Sequence, residues 1–111
     1  MVRLTNISLL VAFASSAMAC VDFTATINAF NYATVILDDN GTRTCKVNSY
    51  GDNNGWGLNC NSGYSAYLRF SDDVVEYSTP HGSYTFATTC TYYYAPNGGS
   101  VNVCQARVFG C

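Results

Sequence analysis

From position 21 onward, apolar and polar residues alternate with a period of two, the pattern of strands that bury one face. Val21, Phe23, Ala25, Ile27 and Ala29 alternate with Asp22, Thr24, Thr26 and Asn28. Ala33 to Leu37 makes a second run and Thr42 to Val47 a third. The Asn40-Gly41 step between them is the strongest short-range hairpin signal. Residues 48–55 are polar and carry glycine, so they read as a loop, followed by a short strand Trp56–Cys60 and the turn Asn61-Ser62-Gly63. Tyr64, Ala66, Leu68 and Phe70 then point one way, and Ser65, Tyr67 and Arg69 the other. Val74 to Ser78 forms another run, ended by Thr79-Pro80-His81-Gly82. Tyr84, Phe86, Thr88, Cys90, Tyr92 and Tyr94 share one face, and the turn Pro96-Asn97-Gly98-Gly99 leads into a last strand, Val101 to Phe109. Turn signals at this spacing predict an all-β fold, a small antiparallel β-sandwich or barrel of about 7–8 short strands.

The first nineteen residues break the pattern. Arg3 is their only charge, Ile7 to Ala14 is an apolar run, and Ala17-Met18-Ala19 fits the small-residue rule for signal peptidase. Residues 1–19 therefore read as a signal peptide and 20–111 as a single disulfide-rich β domain that is secreted and extracellular. A membrane anchor would need about 20 apolar residues, far more than this run offers. A lipoprotein site would want Leu three residues before Cys20, where Ala17 stands.

That destination explains the cysteines. All six (Cys20, Cys45, Cys60, Cys90, Cys104, Cys111) follow the leader, and an even count in a short exported chain reads as a disulfide framework. Six cysteines allow 15 pairings, so spacing alone leaves the connectivity open. Turn symmetry suggests Cys90 with Cys104 about the Asn97-Gly98 turn and Cys45 with Cys60 about the loop at Asp52–Gly55. Cys20 and Cys111 then remain to close the termini. There is no C-x-x-C pair and His81 is the only histidine, so neither a metal site nor a cofactor is expected.

Charge narrows the partners. With Arg3 in the leader, Arg43, Lys46, Arg69 and Arg107 face seven acidic residues. Such a weakly acidic, scattered distribution gains nothing from polyanions, so neither nucleic acid nor membrane is an expected partner. An extracellular protein or a polysaccharide is, and the domain is expected to be a monomer. Tyr50, Trp56, Tyr67 and Tyr93 are the candidate exposed aromatic patch, since aromatic rings stack on sugars and at protein interfaces. Strand parity puts Tyr92 and Tyr94 in the core instead. Ordinary strand preference for tyrosine is the competing explanation for all of them.

Catalytic sets are incomplete. Glu76, His81 and Arg69 or Arg107 suggest an acid–base pair with a phosphate clamp. The small fungal guanyl-specific ribonucleases use a second histidine and a helix, which this pattern lacks. No serine lies in a G-x-S-x-G context, and the pairs Asp38-Asp39 and Asp72-Asp73 fall in turns, where aspartates cap the bend. Asp52-Asn53-Asn54-Gly55 offers loop oxygens but few carboxylates for calcium. Asn40-Gly41-Thr42 is a sequon at a hairpin tip, which makes Asn40 a candidate N-glycosylation site.

The Ala17-Met18-Ala19 exit, the start at Cys20, the six spread cysteines ending at Cys111 and the Tyr/Asn/Gly-rich strands together resemble the small secreted cysteine-rich proteins of filamentous fungi, of the effector-candidate type. The resemblance covers the whole chain as a style of sequence. It implies a non-enzymatic interaction protein, effector- or toxin-like, binding an extracellular or host target through exposed loops. A carbohydrate- or cell-wall-binding module using the aromatic patch is the alternative, and a small ribonuclease the third reading. Intact mass spectrometry of the exported, non-reduced chain is expected to give an N-terminus at Cys20 and a mass six hydrogens below the reduced sequence. Free thiols in the native protein would break both the disulfide and the compartment reading.

Overall fold

The computed structural model describes residues 20–111; the segment read as a signal peptide, 1–19, lies outside the described residues. The strands, in chain order, are β1 (Cys20–Asn28), β2 (Tyr32–Asp39), β3 (Thr42–Tyr50), β4 (Gly55–Gly57) and β5 (Asn59–Cys60). β6 (Ser65–Arg69), β7 (Val74–Thr79), β8 (Gly82–Ala87), β9 (Thr89–Tyr94) and β10 (Ser100–Phe109) follow. They form two antiparallel sheets, a larger one in the order β5-β3-β2-β1-β10-β9 and a smaller one in the order β4-β6-β7-β8. The all-β sandwich expected from the alternation is the fold. Val21, Phe23, Ala25 and Ile27 of β1 and Ala33, Val35 and Leu37 of β2 face Ala66, Leu68, Val75, Tyr77 and Phe86 of the smaller sheet across one buried core.

Two runs that read as single strands are each split between the sheets, which raises the strand count. Trp56–Cys60 divides at Leu58 into β4 and β5, and the run from Tyr84 to Tyr94 divides at Thr88 into β8 and β9. Thr88 is tied down at its crossing: its backbone N–H and its hydroxyl both donate to the Asp73 carbonyl, at 3.2 and 2.6 Å. β3 also runs on to Tyr50, through residues whose polarity reads as loop. They stay extended because Asn48, Ser49 and Tyr50 pair in register with Thr34, Ala33 and Tyr32.

The Asn40-Gly41 hairpin forms with both residues at positive φ (52° and 84°), the requirement of a type I′ turn. Just beyond it the register shifts: Leu37 pairs with Cys45 and Asp38 with Arg43, so Thr44 is the extra residue of a β-bulge. The bulge breaks the alternation and turns two successive residues, Thr44 and Cys45, inward. Thr44 thereby reaches the phenol of Tyr77 on the opposite sheet, oxygen to oxygen 2.9 Å, and Tyr77 donates to Asp39 Oδ2 at 2.7 Å. This is a buried polar contact joining β7 to β2 and β3.

The bridges are Cys45–Cys60 and Cys90–Cys104, the pairs that turn symmetry suggests, and Cys20–Cys111, the pair left over. Cys45 and Cys60 are register partners on β3 and β5, and Cys90 and Cys104 on β9 and β10. Cys111 follows β10 and returns to the start of its neighbour β1. All three bridges therefore staple the larger sheet to itself.

Burial pushes the Tyr77 phenol above its ordinary range; the Thr44 hydrogen bond opposes this and the Asp39 carboxylate adds to it. The fold holds the neutral phenol. Its contribution is therefore complete below the ordinary phenol pKa near 10 and is lost as the pH rises beyond it. Tyr77→Phe leaves the buried Thr44 hydroxyl and Asp39 short of a partner. It is expected to cost about 1–3 kcal/mol, or roughly 4–8 °C of melting temperature per kcal/mol, with a flatter loss of stability above pH 10 than the parent. An unchanged melting temperature would show that the tie between the sheets is dispensable.

Candidate functional site

The four aromatic residues grouped by the sequence do not form one patch. Trp56 is buried (3% exposed): it belongs to β4 of the inner face, its ring packs edge-on against Phe70 at 5.7 Å, and its indole N–H donates to the Asn31 carbonyl at 3.1 Å. Its place in an exposed patch is thus corrected: although β4 is an edge strand, Trp56 takes the core-facing side of it, covered by Phe70 and the β1–β2 turn. Tyr67 lies on the outer face of the smaller sheet, beside Glu76 in register. Tyr50 and Tyr93 are exposed on the outer face of the larger sheet, but on β3 and β9, with β2, β1 and β10 between them. Four interstrand steps of about 4.8 Å keep them roughly 19 Å apart.

Tyr92 and Tyr94 are corrected in the other direction. Parity does set them on the inward face, in register with Asn102 and Ser100, yet they are 61% and 78% exposed. The six-stranded sheet outruns the four-stranded one, so the end of β9 has nothing above it. Their rings stack on each other, centroids 6.4 Å apart and planes 20° apart.

Beneath this uncovered end lies a cleft of about 410 Å³. One wall is Tyr92 with Ser100 and Asn102; the other is Phe70 with Asp73; the β1–β2 turn, Asn28 to Asn31, forms the floor and rim. Asn31 and Asp73 both adopt left-handed backbone conformations (φ 63° and 58°), which their short polar side chains tolerate better than most. Asn28 Oδ1 accepts from the N–H groups of Phe30 and Tyr32, at 2.9 and 3.1 Å, and so shapes that turn. Asn102 Oδ1 is sealed from solvent and has no hydrogen-bond partner among the described residues. Burial, then the neighbouring Asp72 charge, raises the Asp73 carboxyl above its ordinary range. A second recess of about 230 Å³ continues from Phe70 and Asn31 towards Asp52 and Asn53.

The Asp52 loop is satisfied from within. Its Oδ1 accepts from the N–H groups of Asn54 and Gly55 and from the Tyr67 hydroxyl, at 2.7, 2.9 and 2.7 Å. Gly55 is required here, since a Cβ would collide with the Leu68 carbonyl oxygen. The three donors, led by the Tyr67 hydroxyl, hold the Asp52 carboxyl below its usual range. Loss of solvation, then the Asp52 contact, pushes the Tyr67 phenol up to about 12.

The candidate acid–base groups are dispersed. Arg69 pairs with Asp72 and Glu76, at 2.7 and 3.0 Å. Arg107 pairs with Asp22 on the larger sheet. His81 occupies the exposed β7–β8 turn, beyond Thr79, and Glu76 to Thr79 alone spans about 10 Å of strand. Among the described residues, two groups of potential metal donors lie close together, but each contains a disulfide-bonded cysteine pair, whose sulfurs are not thiolates. Asn40 is exposed at its hairpin tip.

No family model matches the chain, and neither a curated protein nor a solved structure was found to resemble it.

Tyr67 has a direct test in spectrophotometric titration. The native phenol signal is expected to keep a late component near pH 12 that shrinks in Tyr67→Phe, and in Asp52→Asn to move towards lower pH. No change in that component in either variant would remove the Asp52–Tyr67 bond from the loop's description.

Proposed function

We propose that the chain is a secreted, non-enzymatic interaction protein, effector- or toxin-like in style, that engages an extracellular target through the uncovered end of the sandwich. The observation that carries this reading is the concentration of exposed rings at that end. Phe30, Phe70, Tyr92 and Tyr94 are each more than half exposed and come from the β1–β2 turn, the end of β6 and the end of β9, which the fold brings to the same end of the molecule. Isolated surface hydrophobics need no explanation, but clustered aromatic ones mark interaction sites. Three disulfides in so small a domain are compatible with the extracellular location, and the apolar leader supports export. Arg69 does pair with Glu76, but His81 lies away from both in the β7–β8 turn and Arg107 is on the other sheet, which speaks against the ribonuclease reading.

The test uses the folded, oxidised domain, fluorescently labelled, on intact plant, fungal and animal cells and on insoluble cell-wall material. Exposed substitutions at rim positions usually shift stability by no more than ~0.5 kcal/mol, so a Tyr92→Ser, Tyr94→Ser double variant is expected to stay folded. Retention on at least one of these surfaces should fall at least tenfold in that variant and remain unchanged in His81→Ala, at the opposite end. Equal retention of both variants, or RNA cleavage by the parent that depends on Glu76 and His81, would overturn the proposal.

A further inference from the structure

We infer that the cleft beneath Tyr92 is a saccharide site that takes a neutral sugar unit, its ring against Tyr92 or Phe70 and a hydroxyl on the Asn102 amide. This rests on the reading of the uncovered end as the binding surface and names the chemistry of what enters it.

Three features point to a sugar rather than to an apolar side chain. The first is Asn102 itself. It stands on the inward face of β10, in register with Ile27 on one side and Tyr92 on the other. A leucine or valine there would bury cleanly, whereas the amide leaves an acceptor with no donor. An unsatisfied buried polar group is costly to the fold, a cost removed when the side chain turns this oxygen out into the cleft towards a ligand hydroxyl. Rotation about the last side-chain torsion exchanges the amide's oxygen and NH2, so the group can accept and donate, which matches a hydroxyl's own dual character.

The second feature is the composition of the walls. Flat aromatic faces on Tyr92 and Phe70 offer stacking surface for the apolar face of a pyranose ring, and Asn28, Asn31 and Ser100 supply further amide and hydroxyl groups around the rim. A purely apolar groove would have suited a hydrophobic peptide anchor. Here few convergent polar groups sit among aromatic rings, the general design of small-ligand clefts, and the volume of about 410 Å³ falls within their range.

The third feature is charge. Among the lining residues Asp73 is the sole carboxylic acid, and no Lys or Arg lines the cleft. An anionic sugar would meet repulsion with no cation to offset it, so a neutral saccharide fits best. The recess continuing towards Asp52 and Asn53 offers room for a second unit of a chain.

The experiment exploits the single tryptophan, Trp56, whose ring lines both recesses. Soluble hexasaccharides of the chitin, cellulose, β-1,3-glucan and mannan types are titrated into the oxidised domain while Trp56 emission is followed. One of them is expected to shift the emission saturably, and the affinity to fall at least tenfold in Tyr92→Ser and in Asn102→Leu. Asn102→Leu is the diagnostic variant. Removing an unsatisfied amide should raise its melting temperature while binding is lost, the opposite of what damage to the fold would produce. Should Asn102→Leu unfold the chain, Asn102→Asp, which puts a charge in the cleft, is expected to lower binding by the same factor. No saturable shift with any of the four sugars at 10 mM (on the order of the weakest affinities usefully measured), or binding unaffected by Tyr92→Ser and by the position-102 variants, would overturn the assignment. Loss of the sugar site with surface retention still dependent on Tyr92 and Tyr94 would leave the broader proposal standing; loss of both would remove it.

Discussion

The sandwich depends on the contact between its two sheets, because nothing covalent joins them except the running chain. The three disulfides all lie within the larger sheet or at its ends. What holds the smaller sheet down is the apolar interface, pinned by one polar contact in which Tyr77 reaches across to Asp39 and Thr44. That contact exists only because a bulge at Thr44 swings an extra residue inward. A buried phenol with both partners in place specifies how the sheets sit on each other, since a slip of either would strand three polar groups. Apolar contact alone tolerates several such slips.

The bridges solve a different problem. A domain of this size buries too little surface for packing alone to offset chain entropy comfortably. Cys20–Cys111 closes a span of 91 residues, and the other two bridges close spans of 15 and 14. On the chain-entropy account the long closure is worth about 4.7 kcal/mol and each short one about 3. The short bridges also tie the two edge strands of the larger sheet to well-buried positions on their neighbours. β5 is a two-residue edge strand, and β9 has lost its cover, so each is held to its neighbour by a cystine instead of by a facing sheet.

How much of this was legible in the sequence follows from which forces are local. The alternating runs, the Asn40-Gly41 hairpin and the cysteine pairs about their turns are encoded within some fifteen residues, and the fold class and strand positions follow from them. The sheet crossings at Leu58 and Thr88 are not, because a strand that changes sheet keeps its alternation while its neighbours change. The bulge at Thr44 is equally silent: threonine suits either face, and only the partner on β7 makes it inward. The site was misread for the same reason. Parity correctly turned Tyr92 and Tyr94 inward, but inward means buried only where a second sheet is present. Trp56, grouped with the exposed rings for its aromatic chemistry, is buried because Gly55 beside it lets its strand approach Leu68 closely. One clue to the cleft does stand in the sequence: Asn102 is the polar residue at an inward position of β10 between Ser100 and Cys104.

The mismatch of six strands over four makes the uncovered end both a liability and an opportunity. An uncovered edge strand of Thr89 to Tyr94 carries no charge and no proline, and such edges invite pairing with other chains. Tyrosine moderates the hazard in a way leucine would not, because each ring presents a hydroxyl to water while keeping its face available. The same end gathers the β1–β2 turn, the Asp52 loop and the Asp72-Asp73 turn around the cleft. Those segments are fixed from below by Thr88 on Asp73, by Trp56 on Asn31 and by Asp52 on its own loop. The end that lacks a covering sheet is therefore rigid without being closed. Rigidity lowers the ordering entropy that a loop-built surface pays on binding. A truncated second sheet, rather than any long loop, is what gives this small domain a preformed concave surface.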